Sequence, residues 1–158
     1  LKRMKRRHNR EQVIEYCCKL RSIRPDVAFG ADIIAGFPTE SDAMFANTYK
    51  LISEAGIQYL HIFPYSPREG TPAARMPQIE KHVRKERVAL LRQQGELELQ
   101  RFMLNNIGRQ AKIIVEKEQY GRTDNFIPVI LQEKHISGSL INCALKLVQN
   151  NAILAEVA

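Results

Sequence analysis

Residues 27–72 read VAFGADIIAGFPTESDAMFANTYKLISEAGIQYLHIFPYSPREGTP, and their hydrophobic pattern decides the first part of the fold. Val27 to Ala35 is a nearly continuous apolar run, the pattern of a strand buried on both faces of a parallel sheet. Asp32 interrupts it. The loop Gly36-Phe37-Pro38-Thr39-Glu40 follows. Thr39 or Ser41 can then cap a helix with an acidic first turn and an apolar stripe at Met44/Phe45, Thr48, Leu51/Ile52 and Ala55. Gly56 stops that helix, and Ile57 to Phe63 is again apolar and strand-like. Strand, helix, strand with short connections predicts a right-handed parallel unit of the α/β class.

On the N-terminal side, Asn9 and Gln12 make a capping-box-like start, and Val13, Cys17 and Leu20 recur at helical spacing up to Arg24-Pro25. A helix over 10–22 is predicted, with one of Cys17 and Cys18 turned inward and the other lateral. On the C-terminal side, the loop Pro64 to Pro72 leads into a long, charge-laced helix over about 78–104, with Val83, Leu90, Leu91, Leu97 and Phe102 on its inner side. After Gly108 the period changes to two. Ala111, Ile113 and Val115 alternate with Lys112, Ile114 and Glu116. Tyr120-Gly121 reads as a turn, Phe126 to Leu131 as a second strand, and Gly138 and Asn150-Asn151 punctuate later ones. Four or five short strands suggest a small antiparallel barrel of the oligonucleotide-binding kind, with the domain boundary near 105–108.

The composition of the 158 residues is globular: 44% hydrophobic and 26% charged. No apolar run approaches the roughly 18 residues of a membrane span, and no apolar segment follows the cationic start, so neither membrane insertion nor secretion is expected. Three cysteines, two of them adjacent, make no disulfide framework, and a reducing cytoplasm is the natural compartment. Nor do they show metal-ligand spacing, and the four histidines are dispersed. The net charge of +7 is localised. Residues 1–24 hold nine basic side chains against Glu11 and Glu15, which accounts for the whole excess. Such a cluster is either a solvated helix face or an arm that meets phosphate, with Lys5, Arg6 and Arg7 at its centre.

Two loops collect the polar, glycine and proline residues, and both follow the C-terminal end of a strand, where α/β folds place their sites. The first offers Asp32, Gly36 and Glu40. The second offers Ser66 and Arg68, a hydroxyl and a carboxylate-binding guanidinium beside Tyr65. Read without further context, the same residues fit two tight turns in which Asp32 is satisfied by a backbone N–H. No Ser/His/Asp or Cys/His arrangement and no phosphate-cradling glycine loop is present.

Three stretches in order and register make a more specific pattern: Met4-x-Arg6-x-His8, then Asp32-Ile33-Ile34-Ala35-Gly36-Phe37-Pro38-Thr39-Glu40, then His61 to Ala74. Together they resemble the C-terminal part of the radical-SAM methylthiotransferases, in wording most similar to the branch acting on threonylcarbamoyl-adenosine beside the tRNA anticodon. Residues 108–158 resemble that family's TRAM domain, a small RNA-binding β-barrel, with Gly121-Arg122-Thr123-Asp124-Asn125-Phe126 matching its turn motif. The resemblance implies that residues 1–105 are the C-terminal part of a partial radical-SAM (β/α) barrel and 106–158 the TRAM barrel. It also implies a transferase that adds a methylthio group to a modified adenosine of tRNA, using S-adenosylmethionine as methyl donor and radical source. Asp32, Gly36, Phe37, Pro38, Glu40, Ser66 and Arg68 would line the cofactor side, while Lys5, Arg6, Arg7, Arg122, Asn125 and Phe126 would meet RNA.

The departures are informative too. The family's glycine before the loop glutamate is Thr39 here, and its following threonine is Ser41. The CxxxCxxC loop that binds the family's radical-generating [4Fe–4S] cluster does not occur in the sequence, so this chain ligates neither of the family's clusters. The chain opens on Leu1 and starts about where the helix before the fifth barrel strand would begin. The expectation is therefore a segment that is inactive by itself and that works with the rest of the enzyme. A stand-alone RNA-binding module and an inactive remnant are the alternatives; residues 108–158 carry six basic and five acidic side chains, little charge for a module that binds RNA alone.

Overall fold

The computed structural model describes residues 1–157, which form two compact units, one of Leu1–Glu98 and one of the described residues from Leu99 onward. The division falls within a helix, ahead of the 105–108 change in sequence pattern.

The first unit opens with α1 (Arg10–Ile23), held by the full capping box: the Asn9 side chain accepts from Gln12 N, and Gln12 Oε1 accepts from Asn9 N, both at 2.9 Å. Strand β1 (Gly30–Ala35) runs into α2 (Asp42–Ala55), whose N-cap is Ser41 rather than Thr39. Gly56, left-handed at φ +59, closes α2. Strand β2 (Tyr59–Pro64) lies parallel to β1, pairing Asp32 with His61 and Ile34 with Phe63. After a 3₁₀ turn (Pro72–Arg75), α3 (Lys81–Leu104) follows.

Only one face of this two-stranded sheet is covered, which corrects the expectation of a strand buried on both sides. Ala35 and Ile62 pack with Ile52 of α2 and Val88 and Leu91 of α3, and Ile33, Phe45, Tyr49 and Leu60 surround them. A second cluster joins Cys17 of α1 to Ala55 and Ile57. Cys17 is the inward thiol and Cys18 the exposed one. On the other face Ile34 and Phe63 stay 37% and 52% exposed, because successive side chains alternate across the pleat and no other element of the first unit packs on that side.

Helix α3 presents a different face from the one read from its leucines. Leu91 and Phe102 are buried, whereas Leu90 and Leu97 are exposed and Val83 is half-buried. The buried stripe is Arg87, Val88, Leu91, Gln94, Gly95 and Glu98, at helical spacing but partly polar, so hydrophobicity alone selected the wrong side. Gly95 sits where a Cβ would come within 2.9 Å of Leu60 Cδ1, so the helix packs closely on β2 there.

The second unit is a closed five-stranded barrel of β3 (Gln110–Lys117), β4 (Tyr120–Thr123), β5 (Pro128–Leu131), β6 (Leu140–Gln149) and β7 (Ala152–Val157), in the order β3-β4-β5-β7-β6. Closure removes the open edges. All pairs are antiparallel except β5 with β7, which is parallel and so corrects a purely antiparallel barrel. Ile113, Val115, Val129, Leu131, Cys143, Leu145 and Ile153 fill the interior. Tyr120 and Gly121 open β4 instead of making a turn, with Gly121 pressed so close to β3 that a Cβ would stand 2.4 Å from Ile114 O. Phe126 lies outside any strand, at φ +66 and 64% exposed.

Candidate functional site

The uncovered sheet face and the two loops at its C-terminal end form the candidate site. Asp32 and His61, directly opposite in the parallel register, meet through Oδ1 and Nδ1 at 3.2 Å, and both side chains are 75% exposed. Asp32 is thus partnered by an imidazole and not by a backbone N–H. Two pairs further along, next on the same face, lie Ile34 and Phe63, and beyond them in the chain Ser66 and Arg68, both exposed.

Of the first loop's residues, the structure leaves Glu40 facing inward. Its Oε2 accepts from Gly36 N at 2.8 Å and from Arg87 Nη1 at 2.7 Å, and its backbone carbonyl accepts from the same Nη1 at 3.0 Å. Arg87 is 5% exposed, reaches Asp42 Oδ1 at 2.7 Å through Nη2, and lies over the Phe45 ring. The Glu40 carboxylate therefore holds its own loop closed, with its charge neutralised in place. Gly36 takes φ +73 with its back against the Arg84 stem, where a Cβ would meet Arg84 Cγ at 2.3 Å; here glycine is required. Thr39 also adopts a left-handed backbone, at φ +69. Its hydroxyl accepts from Arg3.

The second loop is tied to the same helix. The Arg84 guanidinium donates to Tyr65 O, Tyr65 N donates to Ala35 O at 2.8 Å, and the Tyr65 ring meets Phe37 edge to face at 5.3 Å. Pro38 is fully buried beneath the loop. Asp32, Ser66 and Arg68 are thus accessible, Phe37 half so, while Pro38 and Glu40 shape the loop that carries them. Sequence reading missed Arg84 and Arg87. The signal available was their spacing, three apart in register with Leu91, Gln94 and Glu98.

Among the residues assigned to RNA, Lys5, Arg6 and Arg7 are exposed. In the barrel, Arg122 pairs with Glu116 at 3.1 Å and reaches the carbonyl of exposed Phe126. Asn125 behaves otherwise. It is buried, accepts from Thr123 Oγ1 and donates to Asn106 Oδ1 at 3.4 Å, so it ties the turn to the end of α3 and offers no free edge to a ligand.

Among the described residues no group of three or more His, Cys, Asp or Glu side chains could hold a metal ion, and no helix is long and apolar enough to cross a membrane. Cys17 and Cys143 are buried, each with its thiol pushed up from the ordinary value by burial, and they lie in different units.

No family model matches the chain. Individual proteins do. It is 57% identical over 145 residues, 92% of its length, to a threonylcarbamoyladenosine tRNA methylthiotransferase of Rickettsia prowazekii (strain Madrid E). It is also 35% identical over 82% of its length to the enzyme of that name from Aquifex aeolicus (strain VF5). A tRNA-2-methylthio-N(6)-dimethylallyladenosine synthase of Bartonella tribocorum (strain CIP 105476 / IBS 506) is 32% identical over 99% of it. The chain spans about a third of the length of these relatives, 34% of the Rickettsia protein, 32% of the Aquifex protein and 36% of the Bartonella one. The chain belongs to the tRNA methylthiotransferase family and matches its C-terminal portion.

Proposed function

We propose that this chain works as the C-terminal portion of a methylthiotransferase acting on threonylcarbamoyladenosine in tRNA, with residues 1–105 forming one wall of an S-adenosylmethionine pocket and residues 106–158 contributing to tRNA binding. The observation that carries the reading is the 57% identity over 145 residues, a match too long to be confined to either unit.

The accessible donor set fits S-adenosylmethionine. An exposed carboxylate at Asp32, an exposed guanidinium at Arg68 and the Ser66 hydroxyl, beside apolar Ile34 and Phe63, suit a zwitterionic amino acid that carries a purine. When bound, that cofactor supplies the methyl group and the radical source. The chain's own residues bind and orient it: Arg68 takes a carboxylate, Asp32, fixed by His61, takes an ammonium, and Phe63 with Ile34 keeps water from the ring. A [4Fe–4S] cluster does not fit this chain's thiols, since two are buried in separate units and the third, Cys18, is alone on the surface of α1. Its ligands belong to the remaining part of the enzyme, which this reading makes a partner of the uncovered sheet face. The compartment is the cytoplasm, where tRNA is.

The test is a chimera in which this chain replaces the corresponding third of the Rickettsia prowazekii enzyme, with tRNA nucleosides analysed by mass spectrometry. Methylthiolated threonylcarbamoyladenosine is expected. A chimera that folds, carries its clusters and yields no methylthio nucleoside overturns the reading.

A further inference from the structure

Both loops of the candidate site are anchored by one short stretch of α3, through two arginines three residues apart. Arg84 donates to Tyr65 O in the second loop while its stem fills the space beside Gly36 in the first. Arg87, one turn on, holds Glu40 by carboxylate and by carbonyl, and through Glu40 it holds Gly36 N. Neither arginine faces the open sheet surface: Arg87 is buried and Arg84 half-buried. A buried guanidinium has to be matched by acceptors, and Arg87 finds them in one carboxylate and one carbonyl of the same residue. Asp42, fully exposed, adds little.

We propose that Arg84 and Arg87 are a pair of positioning residues that lock the Gly36–Glu40 and Tyr65–Arg68 loops into one arrangement, with Glu40 the link through which Arg87 acts, so that cofactor affinity in the assembled enzyme depends on residues that never touch the cofactor. This rests on the proposed cofactor role of those loops. Lysine keeps the charge but not the geometry: one nitrogen of the rigid guanidinium reaches both the Glu40 carboxylate and its carbonyl, and a flexible ammonium on a shorter stem does not hold that position.

The test has two arms. In the 158-residue chain, amide hydrogen exchange is followed at Gly36, whose N–H donates to Glu40, and at Ile62 in the covered core. R87K, which keeps the charge and the fold, is expected to speed exchange at Gly36 at least 10-fold and leave Ile62 unchanged. E40Q, which keeps an acceptor, is expected to give a smaller increase. In the chimera, R87K and R84K are expected to raise the KM for S-adenosylmethionine about 10-fold with kcat within about twofold, and R87M, which lacks the charge as well, to be worse than R87K. Unchanged Gly36 exchange in R87K overturns the proposal, as does a fall in kcat with KM unchanged, the signature of a residue needed only for folding. An inactive parent chimera counts against the methylthiotransferase reading alone, and the exchange arm then decides the clamp by itself.

Discussion

Asp32 Oδ1 lies 3.2 Å from His61 Nδ1 across the parallel pair β1 and β2, on the sheet face that the described residues leave open. A polar pair in this place explains why an aspartate interrupts an otherwise apolar run. The same pleat that turns Ala31, Ile33 and Ala35 toward the helices turns Asp32 and Ile34 away from them.

That alternation sets the first prediction. Phe63→Ser, on the open face, is expected to change the stability of the chain by less than about 0.5 kcal/mol. Ile62→Ala, one residue earlier and buried among Ile52, Val88 and Leu91, is expected to cost about 2–4 kcal/mol. Denaturant midpoints check both. Equal losses at the two positions would mean that the open face is covered in solution.

Thr39→Gly is expected to stabilise the first unit by about 1 kcal/mol. A β-branched residue at φ +69 works against its own backbone preference, and glycine has no such penalty. The hydrogen bond lost with the hydroxyl comes from Arg3, an exposed partner, and offsets only part of that gain. Thermal unfolding of the two proteins side by side measures the difference.

In the barrel, Gly121→Ala is expected to destabilise by about 1–3 kcal/mol, because the new methyl meets the Ile114 carbonyl at 2.4 Å and Ile113 Cγ2 at 2.7 Å, and strand backbone cannot yield as a side chain would. The unfolding transition of the barrel should shift and that of the first unit should not. A shift of both would show that the two units unfold together.

Thiol labelling should separate the cysteines. Burial disfavours the thiolate of Cys17 and Cys143 and raises their pKa, so at pH 8 both hold even less of the reactive form than an ordinary thiol, whereas Cys18 is exposed. Peptide mapping after brief alkylation is expected to find label on Cys18 alone, with Cys17 and Cys143 reacting only after denaturation. Early label on Cys143 would mean that the barrel opens.

What the sequence made legible was the local chemistry. The Asn9 and Ser41 caps, the Gly56 stop and the change of period after Gly108 each act within a few residues, and each is present in the structure. What it hid depends on which polar side chains find partners and are buried, whether those partners are near or distant in the chain. Leu90 and Leu97 read as core, but the inner face of α3 is set by Arg87 meeting Glu40, 47 residues away, and by the Gln94–Glu98 hydrogen bond. Phe126 reads as the start of a strand, yet Thr123 Oγ1 receives Ile127 N at 2.9 Å and buried Asn125 draws the turn tight, which throws the ring outward. At the site, the loops were legible as loops; that Asp32 would face out and Glu40 in was not, since both are acidic residues beside apolar ones.

The outward ring leads to the last prediction. If tRNA meets this chain through its basic start, replacing Lys5, Arg6 and Arg7 together by Ala should flatten the dependence of log affinity on log salt by about two to three units, each phosphate contact contributing about 0.7–0.9. Phe126→Ala should act in another way. A stacked base is worth about 1–3 kcal/mol and carries no counterion, so affinity should fall with the salt slope unchanged. Because the ring is 64% exposed and outside every strand, the variant should keep its unfolding midpoint to within about 0.5 kcal/mol. Filter binding over a salt series, with thermal unfolding of the same samples, reads all three quantities. A triple variant with the parent's slope would leave the basic start as an ordinary solvated surface, and a Phe126→Ala variant with the parent's affinity would remove that ring from the interface and leave its left-handed backbone without a functional account.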